Sequence, residues 1–154
     1  MFPAALALLL FVFPITSLTM DALVFNAGAS SLMDLVGKWF TFWAVGVRLF
    51  VAGIMQVARP QFTAQTIFGI KGTSANPVVR EVGFGNLSFG TLGICSLTMS
   101  SWIIPAALAG GLYYGLAAVG HMLRGRKNEH GQLALMTDLF VFAVLATFIT
   151  SKLL

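Results

Sequence analysis

The chain has 154 residues, enough for one domain, with 58% hydrophobic and 9% charged residues and a formal net charge of +4. So few charged side chains cannot solvate a water-facing surface of this size, which excludes a soluble domain. The nine cations are scattered and form no basic patch, which excludes nucleic acid as a partner. What remains is an all-α integral membrane bundle. The apolar runs are continuous over about twenty residues, whereas a barrel needs segments of about ten alternating in polarity.

The first span is expected over residues 2–25. It is uncharged until Asp21, retained as a helix and kinked at Pro14. A polar stretch, 26–37, follows, in which Ser30 or Ser31 can cap the next helix. The second span, 38–58, opens with Trp39 and Trp43 at the membrane interface and ends at Arg59-Pro60. Residues 60–70 are too short to cross and carry Phe62, Ile67, Phe68 and Ile70. They read as an amphipathic helix on the bilayer surface.

The third span, 77–98, begins with Asn76 as cap and Pro77 at the first helical position. Ser100 and Ser101 turn the chain into the fourth, 102–123. A charged loop from Arg124 leads to the fifth, 132–151. The expected fold is therefore a single transmembrane domain of about five helices, a four-helix core plus an N-terminal helix. It leaves no room for a soluble catalytic domain.

Loops on one side carry Arg59, Lys71, Arg80, Arg124, Arg126 and Lys127, and those on the other carry Lys38 and Lys152. The positive-inside rule then predicts an inner (plasma) membrane protein with a cytoplasmic N-terminus and an external C-terminus. Trp39, Trp43 and Trp102 all fall at the outer interface in that orientation.

Ionisable groups inside spans are costly, so each is a candidate site. Arg48, Glu81, His121 and Asp138 come from four different spans, with Asn86 and Gln56 at similar depth. At 1.5 Å rise per residue all but Arg48 lie in the cytoplasmic half, and the long Arg48 stem can reach them. One arginine against two carboxylates, completed by histidine and asparagine, would hold four helices in register or line a ligand pocket. Tyr114 lies seven residues before His121 and shares its helix face.

Two histidines, one of them in a loop, and no Glu-x-x-His motif give no metal or haem site. The single cysteine, Cys95, gives neither a disulfide nor a zinc site and reads as a packing residue. Gly83, Asn86, Gly90 and Gly93 form one thin face of the third span, and Gly111 and Gly115 a GxxxG in the fourth. These let helices pack closely, the third against the fourth, with homodimerisation as the alternative.

The run Glu81-Val-Gly-Phe-Gly-Asn86-Leu-Ser-Phe-Gly90 is followed by Gly115-Leu-Ala-Ala-Val-Gly-His121, then Asn128 and Gly131, then Asp138. This pattern, over about residues 40–150, resembles a family of small multi-pass bacterial membrane proteins classed as a domain of unknown function. The resemblance implies a membrane helical fold and points to Glu81, Asn86, His121 and Asp138, with no assigned activity. A shorter stretch, Val47-Arg-Leu-Phe-Val-Ala-Gly53 before Arg59-Pro60, is similar to DoxX-like four-helix membrane proteins, although that pattern has a lysine where this chain has Arg59. It would imply quinone-linked redox chemistry nearby.

With no catalytic motif, no cofactor motif and no soluble loop of size, the chain is expected to be non-catalytic, alone or as an accessory subunit of a larger membrane complex. Its partners would be membrane lipids and either further copies of itself or other subunits. The alternative is a ligand-binding or transport-related bundle in which Arg48, Glu81, Asn86, Tyr114, His121 and Asp138 take a quinone, lipid or small molecule.

Overall fold

The computed structural model describes residues 2–25, 31–123 and 129–154, and these form six helices. They are α1 (2–25), α2 (Leu32–Ala58), α3 (60–67), α4 (Asn76–Cys95), α5 (Ile103–Leu123) and α6 (Glu129–Leu153). Four segments are long and apolar enough to cross a membrane: Ala4–Val24, Leu32–Ala58, Ser100–Leu123 and Glu129–Leu153. The chain is thus a small multi-pass integral membrane protein. The part of the charged loop at 124–128 and the candidate cap Ser30 lie outside the described residues.

Helix α2 starts at Leu32, well before the expected residue 38, because Ser31 caps it. The Ser31 hydroxyl accepts the Asp34 N–H at 3.1 Å, and the Asp34 carboxylate accepts the Ser31 O–H at 2.7 Å. Two stretches of α1 and one of α2 widen to π-helix, at Leu8–Val12, Asp21–Phe25 and Thr41–Val47. The first lies just before the buried Pro14, which has no N–H for the regular ladder.

Helix α3 has two unlike faces. Pro60, Thr63 and Ala64 are buried against the bundle, while Gln61, Phe62 and Gln65 face outward. Gly69 ends it in the left-handed region (φ 68°), and the Ile70 N–H reaches back to the Ala64 carbonyl at 2.9 Å. That closing turn favours glycine, which has no Cβ to clash.

Helix α4 begins one residue earlier than expected, so Ala75 takes the cap position and Asn76 makes no capping bond. The Asn76 N–H bonds the Thr73 carbonyl at 3.0 Å, which already closes a turn there. Arg80, Glu81, Asn86, Ser88 and Thr91 make α4 less apolar than the four spans, and it is not among them.

The glycine face of α4 packs on α2 and not on the fourth span. A Cβ on Gly46 would lie 2.8 Å from the Gly93 carbonyl carbon, and one on Gly53 2.8 Å from the Gly83 oxygen. Gly90 meets the backbone of Phe50 in the same way. These pairs run in opposite directions along the two helices, so α2 and α4 are antiparallel with backbones nearly touching. The Gly111–Gly115 ridge of α5 faces α6. Gly115 abuts the Phe142 ring (2.9 Å for an added Cβ), whereas Gly111 leaves ordinary space beside Leu145 (3.5 Å).

Helices α2 and α5 run in the same direction. Lys38 and Ser100 share a groove at one end, and Phe68, just beyond α3, stacks near His121 at the other, with ring centroids 6.4 Å apart. Helix α4 therefore carries the chain back along the bundle between them. The core, around Leu10, Ala44, Val45, Tyr114, Val141 and Leu145, lies where α1, α2, α5 and α6 meet.

Candidate functional site

The π-helical stretch of α2 ends immediately before Arg48. Widening a helix by one residue shifts the register that follows and frees carbonyls from their regular partners. The Tyr114 hydroxyl of α5 donates to one carbonyl in that stretch, Ala44 O, at 2.5 Å. The same tyrosine ring lies beneath the Arg48 guanidinium, 4.8 Å from its centroid. One residue on α5 thus both supports the widened turn and receives the cation that follows it.

Arg48 Nη2 donates to Asp138 Oδ1 at 2.8 Å and to Thr137 Oγ1 at 3.1 Å, joining α2 to α6. The Thr137 hydroxyl in turn donates to the carbonyls of Leu133 and Ala134. His121 Nε2 stands 3.9 Å from the other Asp138 oxygen, beyond direct hydrogen-bond reach. The side chains of Arg48, Asp138 and His121 are 13%, 8% and 11% exposed. Arg48 Nη1 is buried without a hydrogen-bond partner among the described residues.

The structure thus brings together Arg48, Tyr114, His121 and Asp138 and leaves the other two expected members outside. Asn86 is buried, but its amide donates to Gln56 at 2.6 Å, forming a separate bridge between α4 and α2. Glu81 is exposed on the outside of α4. Rotation explains the separation: at about 100° per residue, Glu81 lies opposite Gly83, while Asn86 shares the Gly83 face that packs on α2. The arrangement of one arginine against two carboxylates is therefore replaced by one arginine against Asp138 and a tyrosine ring.

Sequence reasoning missed Thr137 and Phe68, although Thr137 adjoins Asp138. It also missed a second polar cluster near the other end. Asp21 is buried at 2% exposure and accepts from Lys38 Nζ at 2.6 Å and Trp39 Nε1 at 3.0 Å. Trp43 Nε1 donates to Ser17 at 3.0 Å. The signal was present: a carboxylate closes one apolar run and a Lys-Trp pair opens the next, with a short connection between them. Among the described residues no group of three or more His, Cys, Asp or Glu could hold a metal ion.

Residues 1–154 match DUF6790, a family of unknown function, and the chain belongs to that family. The match covers the first helix, which the resemblance at 40–150 omitted. No curated protein and no solved structure matches the chain.

Proposed function

We propose that this DUF6790 protein is a non-catalytic subunit of a larger membrane assembly and that the outward face of α4 is where it docks. The observation that carries this reading is the composition of that face. Glu81, Gly85 and Ser88 lie at helical neighbour spacing, with Thr91 one turn on. Glu81, Ser88 and Thr91 are exposed, and a Cβ on Gly85 would meet nothing within 4 Å. Among the described residues nothing packs closely on Gly85, unlike Gly83, Gly90 and Gly93. Small residues on an outward face suit close approach of another helix, and Glu81 suits a cation on it.

Helix α4 in this reading crosses the membrane as a fifth span, since it lies backbone to backbone along α2. The N-terminus is cytoplasmic, because Arg59, Lys71 and Arg80 lie at the end opposite Lys38 and Lys152. A cysteine at Lys71 in a Cys95→Ala background should react with a membrane-impermeant maleimide only after the membrane is opened. A cysteine at Ser100 should react in intact cells, and the reverse pattern would contradict the orientation.

Native mass spectrometry after mild detergent extraction tests the assembly. The expected result is a complex well above the 16.5 kDa monomer, dissociated by Gly85→Leu. A wild-type monomer carrying one small molecule would contradict it. That outcome would favour a second reading, motivated by the orphaned Arg48 Nη1, in which the Arg48, Tyr114, His121 and Asp138 cluster binds a quinone, lipid or small molecule.

A further inference from the structure

At the end of the bundle marked by the three tryptophans, α2, α5 and α6 enclose an open groove. Asp34, Lys38, Ser100 and Lys152 line its rim, and Leu35, Ile103, Ile104 and Phe148 its floor. The rim carries both charge signs. Lys152 pairs with Asp34, and Lys38 with Asp21. The lysine side chains are 31% (Lys38) and 29% (Lys152) exposed and the Asp34 side chain 46%, so all three are partly exposed where they line the groove. Each ammonium has three N–H donors and a single acidic partner among the described residues.

The floor continues out of the groove. Ile104, Leu108, Leu112 and Leu116 follow one another at four-residue spacing on α5 and are all exposed, at 48%, 47%, 57% and 70%. At 1.5 Å per residue this track is about 18 Å long, close to the half-thickness of a bilayer core of about 30 Å. Charged rim, apolar floor and track therefore match the three parts of a phospholipid in order from interface to midplane.

We propose that this groove is a binding site for a phospholipid with a primary-amine headgroup. The phosphate accepts N–H bonds from Lys38 and Lys152, the ammonium donates to Asp34, and one acyl chain lies along Ile104 to Leu116. Two ammoniums and two carboxylates, with Asp21 beside Lys38, are neutral overall and so complement a zwitterionic phosphate-ammonium head better than a purely anionic group. A choline headgroup, with no N–H, cannot make the bond to Asp34. The site stands independently of the docking face on α4.

The test uses the purified full chain in detergent, with retained lipid read by native mass spectrometry. Dioleoyl-phosphatidylethanolamine, dioleoyl-phosphatidylcholine and the chainless headgroup glycerophosphoethanolamine are added separately. The ethanolamine lipid should be retained about tenfold more than the choline lipid, the factor expected of one charge-assisted hydrogen bond. Asp34→Asn, which keeps the Ser31 cap geometry, should remove that preference, and Lys152→Gln should weaken both lipids. Equal retention of the two lipids by the wild-type chain would overturn the proposal without recourse to any variant. Equal retention of the chainless headgroup would overturn the role of the α5 track.

Discussion

Arg48 is the most costly residue in the chain to place, a cation well inside an apolar helix, and the bundle compensates it from three directions. Asp138 supplies the opposite charge, Thr137 a hydroxyl, and Tyr114 the face of an aromatic ring. Removing one member leaves the other buried and uncompensated. Asp138→Leu should therefore lower stability by about 3 kcal/mol, as breaking a buried pair does. The double variant Arg48→Met with Asp138→Leu should recover most of that loss, because two matched apolar groups replace two matched charges. Thermal unfolding in one detergent measures both. A double variant no more stable than the single one would show that the charges do more than balance each other.

At the same scale lies the reason why only part of the cluster was legible beforehand. Depth along a span can be counted from the sequence, and it put Arg48, His121 and Asp138 within reach of one another. Which way a side chain points around its helix depends on which face is packed, and for Glu81 that was decided by Gly83 and Gly90 meeting α2. The 100° rotation per residue could have separated Glu81 from Asn86, had the glycine face been used as the reference. The π-helical turn before Arg48 had no sequence signal, since one added residue per turn leaves composition unchanged.

Among the elements, the glycines distinguish seams that are indispensable from those that are merely permissive. The face Gly83, Asn86, Gly90, Gly93 was recognisable from its spacing, but its partner was not. Thin faces on both α2 and α4 carry their own glycines, Gly46 and Gly53 opposite Gly93 and Gly83, whereas the packed α5 glycines are turned to Val45 of α2 and to α6. Gly93→Ala should destabilise by about 1–3 kcal/mol, because the added methyl meets α2 backbone that cannot yield. Gly111→Ala should be neutral or stabilise by up to about 1 kcal/mol, since alanine is the better helix former and its methyl would make only ordinary contact with Leu145. Thermal unfolding of the two variants side by side checks the ranking. A Gly93→Ala chain as stable as Gly111→Ala would mean that α2 and α4 are not in this contact.

For the whole molecule, the scarcity of charge has an order to it. Asp21 with Lys38 and Asp34 with Lys152 form two neutral pairs at the tryptophan end, and Arg48 with Asp138 a third in the interior. Arg59, Lys71 and Arg80 gather at the opposite end. Membership of the bundle class was plain from the scarcity of charge taken with continuous apolar runs of about twenty residues. The mixed outward face of α4, with Glu81, Gly85 and Ser88 beside the exposed Val78 and Phe84, emerged only when the packed face of that helix was known. If that face docks a partner, Glu81, Gly85 and Ser88 are the chain's working surface. The most direct measurement is photo-cross-linking in intact membranes from a benzoylphenylalanine at Ser88, with the same group at Leu112 as the lipid-facing control. A discrete protein adduct is expected from position 88 and only lipid from position 112. Lipid adducts alone from both positions would contradict docking at this face.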